Sequence, residues 1–107
     1  MTAWTIETLD RRVDREIASL PADIQAHLIH IGDMLTEYGP SNVGLPHVRH
    51  LEGALWEIRM KGRDGIGRAI YVTTEGQRIV ILHAFTKKTQ KTPAKALAKA
   101  RKRAKEV

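Results

Sequence analysis

Three runs, LWEIRMK (55–61), IGRAIYVTT (66–74) and RIVILHAF (78–85), follow one another with GRDG and EGQ as the intervening segments. Connectors this short cannot carry a crossover, which parallel neighbours require, so consecutive runs must pair antiparallel. A three-strand meander is therefore fixed over residues 55–85 before any other element is placed. Side chains alternate across a strand, so Trp56, Ile58 and Met60 share one face of the first run and Glu57, Arg59 and Lys61 the other. In the next strand Arg68 stands between Gly67 and Ala69, in a setting too apolar for an uncompensated guanidinium. Two outcomes are open for it: an internal pair with Glu57, or a concave cationic surface with Arg59 and Lys61 that seats phosphates.

The segment before the meander has a different period. AWTIET, residues 3–8, alternates as a short strand. Asp10 is placed to cap a helix with Val13, Ile17 and Leu20 on one side, and Pro21 to open a second at its first position. In that helix Ile24, Leu28, Ile31 and Leu35 make an apolar stripe, widened by Met34 and Tyr38, until Gly39-Pro40 stops it. The punctuated stretch 41–53 leaves room for a short strand at 47–51. Thr92-Pro93 offers a cap and first-turn proline for a last helix with Leu97, Ala100, Ala104 and Val107 along one side. The order β, α, α, three or four β, α predicts an α+β domain. The strand and helix hairpin pack on a small antiparallel sheet, and a basic helix closes the chain. No repeat or linker divides residues 1–107, so one domain is expected.

Charge is unevenly placed. Residues 1–86 hold 9 Lys and Arg against 11 Asp and Glu, whereas residues 87–107 hold 9 against Glu106 alone. This asymmetry suits a polyanion partner, the alternative being a solvated tail that aids solubility. The absence of cysteine excludes disulfides, thiolate metal sites and a thiol nucleophile. With no leader pattern and no long apolar run, a soluble cytoplasmic protein is expected. His27, His30, His47 and His50 lack a supporting carboxylate pattern, and neither a metal nor another cofactor is expected. Both tryptophans, Trp4 and Trp56, sit on apolar strand faces and are expected as core anchors. His83, inside RIVILHAF, is either a satisfied core histidine or a proton carrier.

LWEIRMKGRDGIGRAIYV followed by IVILHAFTKKTQKTP resembles the RelE/ParE toxin superfamily, and most closely its phage-derived HigB-like branch, over nearly the whole chain. The resemblance implies an mRNA endoribonuclease working on the ribosome and silenced by a cognate antitoxin, often a helix-turn-helix DNA-binding protein. Phosphate-handling roles then fall to Arg59 and Lys61, to Arg68, and to Lys87 and Lys88, with His83 and Gln90 near enough to take part. The tail cations, among them Lys91, Lys95, Lys99 and Lys102, fit docking on ribosomal RNA. Two departures from better-known relatives are Glu57, where a basic residue is common, and the lack of a tyrosine after Lys88. The rival functions are a ParE-like gyrase inhibitor that cleaves nothing and an inert nucleic-acid-binding accessory module. A gyrase binder does not need Arg59, Arg68, Lys87 and Lys88 in this arrangement, and an accessory module would use Arg68 for binding with no toxicity to lose.

Overall fold

In a computed structural model of the chain, residues 3–87 and 91–107 are described. The elements run β1 (Thr5–Thr8), α1 (Arg11–Ala18), α2 (Ala22–Tyr38), a 3-10 turn (Pro40–Asn42), β2 (Val48–Glu52), β3 (Leu55–Gly62), β4 (Gly65–Thr74), β5 (Arg78–Lys87) and α3 (Ala94–Ala104). One five-stranded sheet forms in the order β1-β5-β4-β3-β2. Strands β2 to β5 make the expected antiparallel meander, and the short run at 47–51 is indeed a strand, shifted by one residue. The sheet as a whole is mixed, because β1 lies parallel to β5. That connection runs through both helices and the meander, long enough to permit parallel pairing.

The Asp10 carboxylate accepts from the Arg12 amide and caps α1 as its sequence position suggests. Pro21 is the cap residue of α2 rather than its first helical residue. The stripe Ile24, Leu28, Ile31 and Leu35 is buried against β3, β4 and β5 together with Ile58, Met60, Tyr71, Ile79 and Ile81. Tyr38, expected to widen that stripe, is instead exposed, since the last turn of α2 runs past the sheet. Gly39 ends the helix at φ +84° and faces the Trp4 indole, so a side chain there would be both strained and obstructed. At Gly67 a Cβ would come within 2.8 Å of Ile24 Cγ2, so this glycine lets α2 press onto β4 directly beside Arg68.

The other sheet face is covered by α3. Ala96 and Ala100 pack there on Leu55, Ile70, Val72, Val80 and Leu82, with Leu97 and Ala104 partly buried beside them. Val107 lies beyond the helix and is exposed. Thr92 does not cap α3: Pro93 occupies that position, and the Thr92 hydroxyl donates to Glu57 on β3. The two arginines of α3 are both paired, Arg103 in the interior and Arg101 at the surface. Arg103 donates to both Glu16 carboxylate oxygens and to the Leu82 carbonyl, and Arg101 pairs with Glu52 of β2. Its lysines Lys95, Lys99 and Lys102 are exposed at i, i+4 and i+7 along the outer side. None of the described helices is long and apolar enough to cross a membrane.

Candidate active site

Alternation in β3 places Glu57, Arg59 and Lys61 on the α3 side of the sheet, beyond the apolar patch that α3 covers. Register brings the rest. Arg68 of β4 stands directly opposite Arg59, Lys87 of β5 opposite Ile66, and Arg49 of β2 opposite Glu57. Five cationic side chains thus share one face, although like charges directly opposed in a sheet are destabilising. Two unit charges about 4 Å apart at an effective dielectric of about 20 repel by about 4 kcal/mol, so such a cluster requires anions.

Among the described residues one carboxylate answers it. Glu57 is fully buried, and its Oε1 lies 3.6 Å from Arg68 Nε and 3.9 Å from Arg59 Nη1. Its Oε2 accepts from Thr92 Oγ1 at 2.7 Å. Arg68 is 2% exposed, and its Nη1 donates to the Gly67 carbonyl at 2.8 Å. Burial, with Arg59 and Arg49 nearby, lowers the Arg68 pKa against the opposing pull of Glu57. Lys87 is 8% exposed, and its Nζ has no hydrogen-bond partner among the described residues. Burial first, then Arg68, Arg59 and Arg49, pushes the Lys87 amine below its ordinary value, Glu57 acting in the opposite direction.

The cluster opens on a cleft of about 310 Å³ lined by Leu45, Pro46, Arg59, Lys61, Ile66 and Arg68. Its lining joins three apolar side chains to three cations. Such a cleft can hold a tetrahedral or pentacoordinate phosphate against two guanidinium forks.

Of the site residues expected from sequence, Arg59, Arg68 and Lys61 line this cleft, while Lys87 stands on the same sheet face near Arg68 and Glu57 but lines an adjoining cleft with Pro21, Ile24, Asp64, Gly65 and Thr86. Lys88 and Gln90 lie outside the described residues. Lys91 belongs to a neighbouring cleft, and Lys95 and Lys99 face outward from α3. His83 points elsewhere: its Nδ1 is 2.9 Å from Glu16 of α1, and its ring stacks on Phe85 with centroids 4.9 Å apart. Burial lowers the His83 pKa, the Glu16 contact opposing. Glu16 is itself disfavoured as an anion by burial. Its bonds from His83, the Ala84 amide and Arg103 outweigh this and hold its carboxyl below the usual range. The four other histidines make no metal site, and among the described residues no three metal-ligating side chains converge. His27 Nδ1 accepts from the Lys61 amide at 2.8 Å, so its proton resides on Nε2. His50 lies edge-on to Trp56, which is 38% exposed rather than a core anchor. Arg49 is the residue that sequence reasoning missed. The signal was its place in VRHLE, where Val48 is buried and Arg49 must therefore face the opposite side, as Glu57 does.

The family described as Phage derived protein Gp49-like matches residues 15–105, all but the ends of the chain. The chain is a RelE-like toxin of this family. Its fold matches the RelE chain of the archaeal RelE-RelB complex from Pyrococcus horikoshii OT3, with a TM-score of 0.57 and 27% identity. The match covers 80% of this chain and 96% of that one. No curated protein matches it. Membership in the Gp49-like family accounts for the order of elements, with the helix hairpin on one sheet face and a C-terminal helix on the other.

Proposed function

We propose that this RelE-like toxin is a ribosome-dependent mRNA endoribonuclease of a type II toxin-antitoxin pair, acting in the cytoplasm without a metal ion. The observation that carries the reading is the gathering of Arg49, Arg59, Lys61, Arg68 and Lys87 on the sheet face that holds Glu57, with Arg59, Lys61 and Arg68 lining an open cleft. A cluster with that charge imbalance favours a polyanion. The 27% identity to a RelE chain solved with RelB supports a cognate antitoxin as partner.

Cleavage of RNA through its own 2′-OH has three needs: removal of the hydroxyl proton, stabilisation of the crowded phosphate, and protonation of the departing 5′-oxygen. Arg59 and Arg68 take the second task, since guanidinium groups bind two phosphate oxygens at once and stay charged at working pH. Proton transfer needs a group able to titrate. Lys87, with its lowered pKa and its place on the same face, takes the 2′-OH proton as the neutral amine and gives a proton, as the ammonium, to the departing 5′-oxygen. Lys61 at the cleft, with Lys88 and Gln90 in the segment that follows Lys87, binds the flanking phosphates. His83 ties β5 to Glu16 of α1, the carboxylate that also receives Arg103 of α3, rather than carrying a proton. The outward lysines Lys95, Lys99 and Lys102 supply attraction to ribosomal RNA that falls with salt.

Primer extension on translated mRNA after induction tests this reading, with purified toxin and ribosomes assayed in EDTA alongside. Codon-related cuts that persist in EDTA are expected. Growth arrest without any cut would instead favour a ParE-like action on gyrase.

A further inference from the structure

Beside the cationic cleft, on the other side of Glu57, a second cleft of about 440 Å³ opens between the β2 edge and the start of α3. Arg49, His50, Leu51, Lys91, Thr92 and Leu97 line it. Two apolar walls, Leu51 and Leu97, stand near two cations and a hydroxyl, and no carboxylate is in the lining. Arg49 and Lys91 take part in none of the ion pairs among the described residues. An apolar slot with a cationic rim suits a ligand having a flat, uncharged face and an attached anion, as a nucleotide has. A peptide carboxylate would satisfy the rim and leave the slot unused.

Register sets this cleft beside the first. Arg49 stands opposite Glu57, and Arg59 lies two residues farther along β3 on the same face. The two sites are thus roughly 7 Å apart along the strand. That is the order of the separation between successive phosphates of an extended RNA strand. Thr92 supplies a polar group that discriminates between bases. Its hydroxyl hydrogen is committed to Glu57 Oε2, so toward the cleft its oxygen presents lone pairs. An acceptor at that point favours a base edge carrying an exocyclic amino group.

We propose that the β2–α3 cleft is a base-reading pocket for the nucleotide next to the scissile phosphate, with Arg49 and Lys91 on its phosphate and Leu51 and Leu97 against its base. The proposal rests on the nuclease reading for its register, and on the cleft itself for its ligand.

The test is binding of fluorescent 2′-O-methyl RNA tetranucleotides, which cannot be cleaved, to the full chain at physiological salt, with the base at each position varied in turn. Wild type is expected to bind adenine-, cytosine- or guanine-bearing probes more tightly than uracil at one position. Leu97→Trp, which fills the slot, should remove that preference. Arg49→Ala should weaken binding about ten-fold, the effect of losing one base or phosphate contact. Arg49 is exposed and in no ion pair among the described residues, so this variant keeps the test in force if Leu97→Trp does not fold. Equal affinity for all four bases, unaltered binding in both variants, or no binding by wild type would each overturn the pocket. If discrimination is lost in Leu97→Trp while wild type leaves translated mRNA uncut, the pocket stands and the nuclease reading falls. Base-independent binding by a toxin that does cut mRNA gives the converse.

Discussion

The two faces of the sheet are built on opposite principles. Toward α1 and α2, long aliphatic side chains from the helices meet Ile58, Met60, Ile79 and Ile81, and no charge is buried among them. Toward α3, alanines cover a smaller apolar patch, and the rest of the face carries the cations around Glu57. Each fully buried aliphatic side chain on the first face contributes about 1.5–3 kcal/mol, so the hairpin side holds the fold. The second face contributes less from burial and includes mutual repulsion of Arg59, Arg68, Lys87 and Arg49. It is stable because the first is. A site that must bind a transient anion is thereby supported on a frame whose stability does not depend on it.

Four substitutions or conditions separate the faces, beginning with the largest effect. Arg68→Ala is expected to lower mRNA cleavage by about 10²–10³-fold, the usual loss for one preorganised donor, while circular dichroism shows the fold retained. Full activity in this variant would remove the site from the α3 face. Glu57→Gln should cost about 3–5 kcal/mol in denaturant unfolding, since it removes the carboxylate from a buried cationic cluster. Added inorganic phosphate should restore more stability to this variant than to wild type, because an anion that binds the folded state alone stabilises it by mass action. Equal response to phosphate in both would mean that the cluster holds no anion.

Ile31→Ala in α2 is expected to cost about 2–5 kcal/mol, against about 1 kcal/mol for the partly buried Leu97→Ala of α3. Similar costs would show the two faces to be equally responsible for stability. The smallest effect is on acid stability. Glu16 titrates below its ordinary 4.5, so its stabilisation is complete above that value and is lost as pH falls through the lowered one. His83 titrates below its ordinary 6.5, so the unfolded chain takes up that proton first and stability begins to fall below 6.5. Unfolding followed against pH in wild type and Glu16→Gln checks this, the variant being expected to have a flatter acid limb.

The local elements of this protein were legible where a short-range period decides them. The alternation in β3 assigned Glu57, Arg59 and Lys61 to one face, the stripe from Ile24 to Leu35 identified the buried side of α2, and short connectors forced the meander. Each depends on neighbours within a few residues, where backbone geometry alone relates side chains. The placement of Arg68 beside Arg59 needed strand register as well, which the GRDG turn sets locally. The expected single role for Thr92 as a cap failed because a tertiary acceptor, Glu57, competes for the same hydroxyl.

What the amino-acid sequence determined by itself is therefore the α+β order, the apolar side of each helix and strand, and a cationic row on β3 with its excess of charge in the last fifth of the chain. Tertiary structure alone decided that β1 joins the far edge in parallel and that Arg49 completes the cluster. It also decided that His83 and Arg103 share Glu16 as partner, and that α3 buries Arg103 and leaves its lysines exposed. Those outcomes depend on which distant segments come into register, and on how buried charges choose among partners that the chain brings together after it has collapsed.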